Sequence, residues 1–366
     1  MNKMNKVCFV IKGKTFLKPI IPLIAFSNNL ELIPVVFFYK ERAGKAYDSL
    51  STSDIDSIIS KLSKANVLRK CEFYWVDNEK DIIDFMKLNN LNNIVCQDAQ
   101  HHYKKLCAEN KIKVFSIGVF FDTLHYANDL RLKSTSYENE HRPDVIYFPN
   151  EKFLNEFKTI YSKYQCEYRC LGSPLYDHSI FIDYKLPAHE RQEASICFLT
   201  TLQYLVPEAL QQELEDFVEY CIKNEINVYV KGKKKTPWVF KNKNLINDII
   251  YIEEEKGFPY TSLELILKTD LHIASFSTSA IESSYFGKPS INLDTIDKNK
   301  LTYAVHSIKH DYNFEDVFNS DICKTISENI KDTYHALIST SKKPEEVLTY
   351  DSNNSLRILK DIKTFL

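Results

Sequence analysis

The stretch Thr269 to Asp294, T-D-L-H-I-A-S-F-S-T-S-A-I-E-S-S-Y-F-G-K-P-S-I-N-L-D, decides how the chain is read. Leu271 to Ala274 is a short apolar run and predicts a buried strand. Ser275 to Ser279 is a hydroxyl-rich turn, and a short helix carrying Glu282 follows it. Gly287-Lys288-Pro289 stops that helix before a second strand, Ser290 to Leu293. A helix that starts among serines presents backbone N–H groups, a positive dipole end and hydroxyl donors, which together suit an anion. Glu282 lies about one helical turn beyond Ser279, so it can face the same ligand and accept hydrogen bonds from a sugar diol. Ser275, Ser277, Thr278, Ser279 and Glu282 are therefore candidate contacts for a phosphate beside a diol, the pair of groups that a nucleotide-sugar carries. The plainer alternative is an ordinary strand–helix–strand crossover in which Ser279 is only an N-cap.

The same alternation extends outward from this segment. Strands are predicted near Val7–Ile11, Leu32–Phe38, Ile94–Cys96, Val114–Ile117, Val145–Phe148 and Tyr168–Leu171. Helices are predicted near Leu17–Asn28, Asp54–Ala65, Glu79–Leu88, Gln100–Asn110 and Lys152–Tyr161. A second series has strands near Ser195–Leu199, Asn227–Val230, Ile249–Ile252, Leu271–Ala274 and Ser290–Leu293. Its helices fall near Pro207–Lys223, Tyr260–Lys268, Ala280–Phe286 and Ile322–Ile338. Short unbroken apolar strands alternating with amphipathic helices predict an α/β protein with parallel sheets covered on both faces. A chain of 366 residues suggests two such domains. We place them at residues 1–172 and 193–350. The proline-containing stretch 173–192 is the linker, and a last helix within 351–366 crosses back to the first domain.

Composition narrows the function. At 44% hydrophobic and 26% charged, with net charge −2, the chain reads as a globular protein without a general hold on nucleic acid. Lys231-Gly232-Lys233-Lys234-Lys235 is a local basic patch. No apolar stretch reaches the roughly 18–20 residues that span a bilayer, and the N-terminal apolar run stops at Lys12, unlike a secretory signal. Nine cysteines without zinc-ligand spacing fit reduced thiols in the cytoplasm, with Cys8, Cys96 and Cys197 inside strands.

These segments resemble the GT-B glycosyltransferases and the related UDP-N-acetylglucosamine 2-epimerases. The start V-C-F-V-I-K-G-K-T is similar to the epimerases' first strand and turn. N-I-V-C-Q-D-A-Q resembles their strand ending in Asp, which the resemblance places, as Asp98, at a cleft between two Rossmann-like domains. D-V-I-Y-F-P-N-E-K-F and L-G-S-P-L-Y-D resemble the segments that close the first domain, and they put Gly172 among the donor contacts. The segment from residue 260 to 294 resembles the one that holds a nucleotide diphosphate and ribose. The departures count equally. No Glu follows F-S-I-G-V-F-F-D, neither His nor Arg occurs in L-T-T-L-Q-Y, and Ser277-Thr278-Ser279 replaces a Ser-Gly-Gly turn. Epimerisation through proton removal needs those acid–base groups. The expectation is therefore a transferase that moves a sugar from a nucleotide-activated donor to a glycan or lipid-linked acceptor. An epimerase, and a transferase of the CMP-sugar or CDP-glycerol type, are the alternatives. In the last group a His-Pro usually follows the second strand of this domain; here only Pro237 matches.

In an inverting transferase a first-domain carboxylate or His removes the acceptor proton. The candidates, in order, are Asp122, Asp98 and His125, beside the plainer readings of helix cap and loop residue. Lys231, closest to its strand end, is the candidate cation for the departing phosphates. Trp238 either stacks on the ligand or covers the apolar edge of its domain. The resemblance implies no metal and no cofactor beyond the donor, and Asp54 and Asp56 of S-D-I-D-S read as first-turn helix charges. A peripheral place at the inner face of the membrane is compatible with a lipid-linked acceptor.

Overall fold

The computed structural model describes residues 5–11, 13, 17–39, 51–64, 70–97, 104–118, 143–149, 151, 154–155, 158, 166–177, 195–199, 203, 206–232, 238–253, 261–275, 279, 282–283, 286, 288–293, 323–326, 328–340 and 353–366. The chain divides into two compact units: Met1–Tyr184 with Asp351–Leu366, and Lys185–Tyr350.

The first unit is built on β1 (Lys6–Ile11), α1 (Leu17–Ser27), β2 (Ile33–Tyr39), α2 (Thr52–Lys64), β3 (Glu72–Val76), α3 (Glu79–Leu88), β4 (Asn93–Gln97), α4 (Lys104–Glu109), β5 (Lys113–Ile117), β6 (Val145–Phe148) and β7 (Glu167–Cys170). Its seven strands lie parallel in the order β3-β2-β1-β4-β5-β6-β7. The reversal at β1 and β4 makes the sheet doubly wound, so helices cover both faces and the central strands are buried throughout. Two polar side chains set the register. Asn93 accepts from the Cys8 N–H at 3.2 Å and donates to the Lys6 carbonyl at 3.2 Å. Asp144 accepts from the Val114 N–H at 2.8 Å, while its own N–H donates to the Val114 carbonyl at 2.8 Å. The Asp54 carboxylate receives the N–H and hydroxyl of Ser51 at the start of α2, so it is a helix-terminal charge.

The second unit comprises β8 (Ser195–Leu199), α5 (Glu208–Lys223), β9 (Asn227–Gly232), β10 (Ile250–Glu253), α6 (Thr261–Lys268), β11 (Leu271–Ser275), β12 (Ser290–Leu293), β13 (Cys323–Ile326) and α7 (Ile330–Thr340). The sheet is again parallel and doubly wound, in the order β10-β9-β8-β11-β12-β13. Residues of one parity (Ile196, Phe198, Val228, Val230, Leu271, Ile273, Ile291, Leu293) form the apolar face, which packs on α5 and α7. At the foot of the sheet Asp270 repeats the Asp144 device. Its carboxylate accepts from the Ser195 N–H at 3.0 Å, and its N–H donates to the Ser195 carbonyl at 2.8 Å.

Two edge elements differ from the sequence reading. Glu72–Val76 forms the edge strand β3, which the sequence did not suggest; its aromatic residues are only half-buried. Cys323–Ile326 is a strand, paired with β12, where the reading had the start of a helix Ile322–Ile338. Four residues with a central Lys324 carry too little apolar pattern to separate strand from helix, and pairing to β12 decides it.

The C-terminal helix, α8 (Asn354–Lys363), docks on the first unit. It has no side-chain cap of its own. Buried Asp177 supplies one instead, accepting from the Asn354 N–H at 2.9 Å and the Ser355 N–H at 2.7 Å. Asp361 accepts from the Tyr147 hydroxyl at 2.7 Å, and Arg357 Nε donates to the Leu171 carbonyl at 3.1 Å. Burial raises the Asp177 carboxyl from its ordinary 3.8 to about 6, against the opposing hydrogen bonds from Ser355 and Asn354. A carboxyl with a raised folded-state pKa contributes stability that is complete below its unfolded value and is lost as pH rises through about 6. The size is about 3 kcal/mol for a shift of about two units. Urea unfolding of wild type and Asp177→Asn between pH 4 and 8 should show it. The stability of wild type minus that of the variant should fall by about that amount as pH rises, because Asn keeps one acceptor and has no charge to desolvate.

Candidate functional site

Period-two alternation places Cys197, Tyr229, Lys231, His272, Ala274, Ser290 and Asn292 on the second face of the second sheet, opposite the apolar cluster. Toward β9 this face is apolar, with Cys197, Tyr229 and Ile252 packed against Leu265 of α6. At β11 and β12 it is polar and still buried: His272 is 1% exposed, Ser290 0% and Asn292 2%. A central parallel strand normally carries apolar side chains on both faces, so this departure needs a cause.

Between β11 and β12 the structure describes residues 279, 282–283, 286 and 288–289. Ser279, Glu282 and Ser283 are helical and buried. The turn closes where the Phe286 N–H donates to the Glu282 and Ser283 carbonyls at 3.2 and 3.0 Å, and the Lys288 N–H to the Ser283 carbonyl at 3.0 Å. His272 is the buried titratable group of this face. Burial holds its imidazole neutral, pushing its pKa down to about 3; the main chain of Ser279 acts to raise it and the Lys231 charge acts to lower it. The same lysine pulls down the Cys197 thiol, although burial outweighs it and drives that thiol well above its ordinary value. Lys231, His272 and Ser279 therefore share one neighbourhood. Both His272 ring nitrogens and Asn292 Oδ1 are buried without a hydrogen-bond partner. Each such group costs about 1–3 kcal/mol unless something meets it.

Of the residues singled out in the sequence, Lys231 and Ser279 both act on His272, Ser275 ends β11, and Glu282 is buried in the chain that follows. Ser277 and Thr278 lie outside the described residues, as do Asp98, Asp122 and His125. Gly172 belongs to the first unit, where its φ of +90° and the nearness of Asn354 Oδ1, 1.8 Å from where a Cβ would stand, show why the position is glycine. His272, Ser290 and Asn292 escaped the sequence reading. The signal was a polar residue at alternate positions of L-H-I-A and S-I-N-L.

No protein-family model matches the chain, and no curated protein matches its sequence. Solved structures do. The UDP-GlcNAc 2-epimerase of Methanocaldococcus jannaschii matches 98% of this chain over 99% of its own, with TM-score 0.63 and 12% identity. A variant of the wall teichoic acid polymerase TagF soaked with CDPG matches 99% over 88%, with TM-score 0.56 and 12% identity. The kitacinnamycin glycotransferase matches 100% over 100%, with TM-score 0.54 and 10% identity. The chain has the GT-B fold. Among the described residues no helix is long and apolar enough to cross a membrane.

Trp238 belongs to the core rather than to a ligand. It is 4% exposed and stands edge-on to Phe198, with ring centroids 5.1 Å apart at 89°. Its Nε1 is buried without an acceptor. Trp238→Ala should therefore cost about 3–5 kcal/mol in urea unfolding. Trp238→Phe, which removes the unpaired N–H, should stay within about 1.5 kcal/mol of wild type.

Proposed function

We propose that the protein is a GT-B glycosyltransferase that moves a sugar from a nucleotide-activated donor to a glycan or lipid-linked acceptor. The observation that carries this reading is the buried polar face of β11 and β12, with His272 at 1% and Asn292 at 2% exposure, and buried Ser279 and Glu282 in the chain that follows β11. Ligands of open α/β sheets bind beyond the carboxyl ends of the strands. Main-chain N–H groups of the turn Ser275–Ser279, with Lys231, neutralise the diphosphate as it leaves, and Glu282 accepts from the ribose diol. A first-unit base, in order of preference Asp122, Asp98 or His125, takes the acceptor proton. Positive main-chain ends and a lysine do the work of a cation, so the reaction needs no metal. A place in the cytoplasm, at the membrane's inner face when the acceptor is lipid-linked, fits this chemistry.

An epimerase is the second reading, favoured by the likeness to the UDP-GlcNAc 2-epimerase of Methanocaldococcus jannaschii. Against it stand the missing Glu after F-S-I-G-V-F-F-D and the missing His and Arg in L-T-T-L-Q-Y. A CDP-glycerol type of transferase is a third, favoured by the likeness to TagF.

Incubation with UDP-, CMP-, GDP- and CDP-activated donors separates these readings. Nucleotide release that requires an added glycan or lipid-linked acceptor and survives EDTA supports the transferase. Epimerisation or release without any acceptor overturns it in favour of the epimerase. Glu282→Ala and Ser279→Ala should each weaken nucleotide binding about tenfold, the loss of one or two hydrogen bonds. Unchanged affinity in both would move the site elsewhere.

A further inference from the structure

Two paired parallel strands set four side chains of one face at the corners of a rectangle. Between β11 and β12 the register pairs His272 with Ser290 and Ala274 with Asn292, and period-two alternation puts all four on the same face. His272 and Asn292 stand on one diagonal. Ala274 and Ser290, both small, stand on the other. Strand geometry sets the Cβ atoms of the polar diagonal about 8 Å apart, from ~3.3 Å of rise per residue and ~4.8 Å between strands. None of the four residues is more than 2% exposed. Neither ring nitrogen of His272 nor Asn292 Oδ1 meets a hydrogen-bond partner in the protein. About nine in ten buried polar groups are met, so three orphaned atoms on one diagonal need a common explanation.

From this geometry we propose that the polar face of β11 and β12 binds a single water molecule, which links the imidazole of His272 to Asn292 Oδ1. The chemistry of the two groups selects water. Asn292 Oδ1 is an acceptor and needs a donor. Burial keeps the imidazole neutral, with its pKa pushed down to about 3, so the ring offers one N–H and one acceptor nitrogen. Water both donates and accepts, and it therefore serves the two side chains at once. A bare anion has no proton for Asn292, and an ion of either sign would carry charge into a face closed to solvent. A substrate hydroxyl has the right groups, but residues 1–2% exposed offer it no open route. Waters held in protein cores make two to four hydrogen bonds to otherwise unmet groups, and this diagonal supplies two of them. Small residues at the other corners are what room for a water, about 30 Å³, requires. The polar positions of L-H-I-A and S-I-N-L thereby share one cause. The site is independent of the function proposed above and stands or falls without it.

Two measurements on the full chain test this assignment. In a crystal structure that resolves ordered solvent, a water should lie within about 3.2 Å of a His272 ring nitrogen and of Asn292 Oδ1. A protein group in that place, or no solvent between the two side chains, overturns the proposal. In urea unfolding, wild type, His272→Leu, Asn292→Leu and the double variant form a cycle. Each single substitution strands the water and the remaining polar partner. The double variant should therefore be more stable than the two single effects multiplied together predict, by about fivefold or more in the unfolding equilibrium constant. Single effects that multiply to within about twofold overturn the link between the two side chains. Should a single variant fail to fold, nuclear Overhauser transfer from a long-lived water to the His272 ring protons of wild type takes the place of the cycle. Transfer supports the site, and its absence overturns it.

Discussion

The paired hydrogen bonds between Asp270 and Ser195 fix where β11 begins beside β8, and nearly everything proposed for this protein follows from that register. A strand has a side-chain period of two, so a slip of one residue would turn His272 and Ala274 onto the apolar face and expose Leu271 and Ile273 to the polar one. With the clasp in place, β11 ends at Ser275, and His272 and Asn292 stay on the polar face. The first unit uses Asp144 against Val114 in the same way. Each sheet thus anchors a strand at its amino end with a carboxylate that replaces a missing backbone partner. In the second sheet this leaves the carboxyl end of β11 to be shaped by chemistry.

That arrangement divides the labour within the second sheet. Its apolar face, built on Phe198, Val230, Ile273 and Leu293 against α5 and α7, supplies the hydrophobic stabilisation, about 1.5–3 kcal/mol for each large side chain fully buried. Its other face gives part of that up at His272 and Asn292. Orphaned polar atoms in a core are tolerated where the rest of the unit is well packed, and they gather at functional sites. The C-terminal helix shows the contrasting use of a buried polar group. Asp177 is as deeply buried as His272, but its carboxylate is met by two N–H groups, so its burden is desolvation alone.

Much of this was legible in the sequence for a physical reason. Parallel strands buried on both faces are nearly unbroken apolar runs, and V-C-F-V-I and V-I-Y-F announce themselves, with V-F-S-I and L-H-I-A each interrupted by a single polar residue. The strands that escaped, β3 and β13, are both at sheet edges, where a single neighbour and partial exposure relax the demand for apolar residues. The elbow was legible because serines, a glutamate and Gly-Lys-Pro stand together in sequence. His272, Ser290 and Asn292 were not, since their meaning depends on which face they share and on what lies across from them. Trp238 was ambiguous for the same reason: one aromatic residue after a basic loop fits a stacking surface and a core equally well, and only its burial against Phe198 decides.

A crystal structure of the protein with a bound nucleoside diphosphate tests the account most directly. The phosphate oxygens should lie within hydrogen-bonding distance of main-chain N–H groups in the turn from Ser275 to Ser279, with the Lys231 ammonium on the same side and the ribose hydroxyls toward Glu282. A diphosphate seated on any other strand end, with the turn after β11 making no contact, would contradict it.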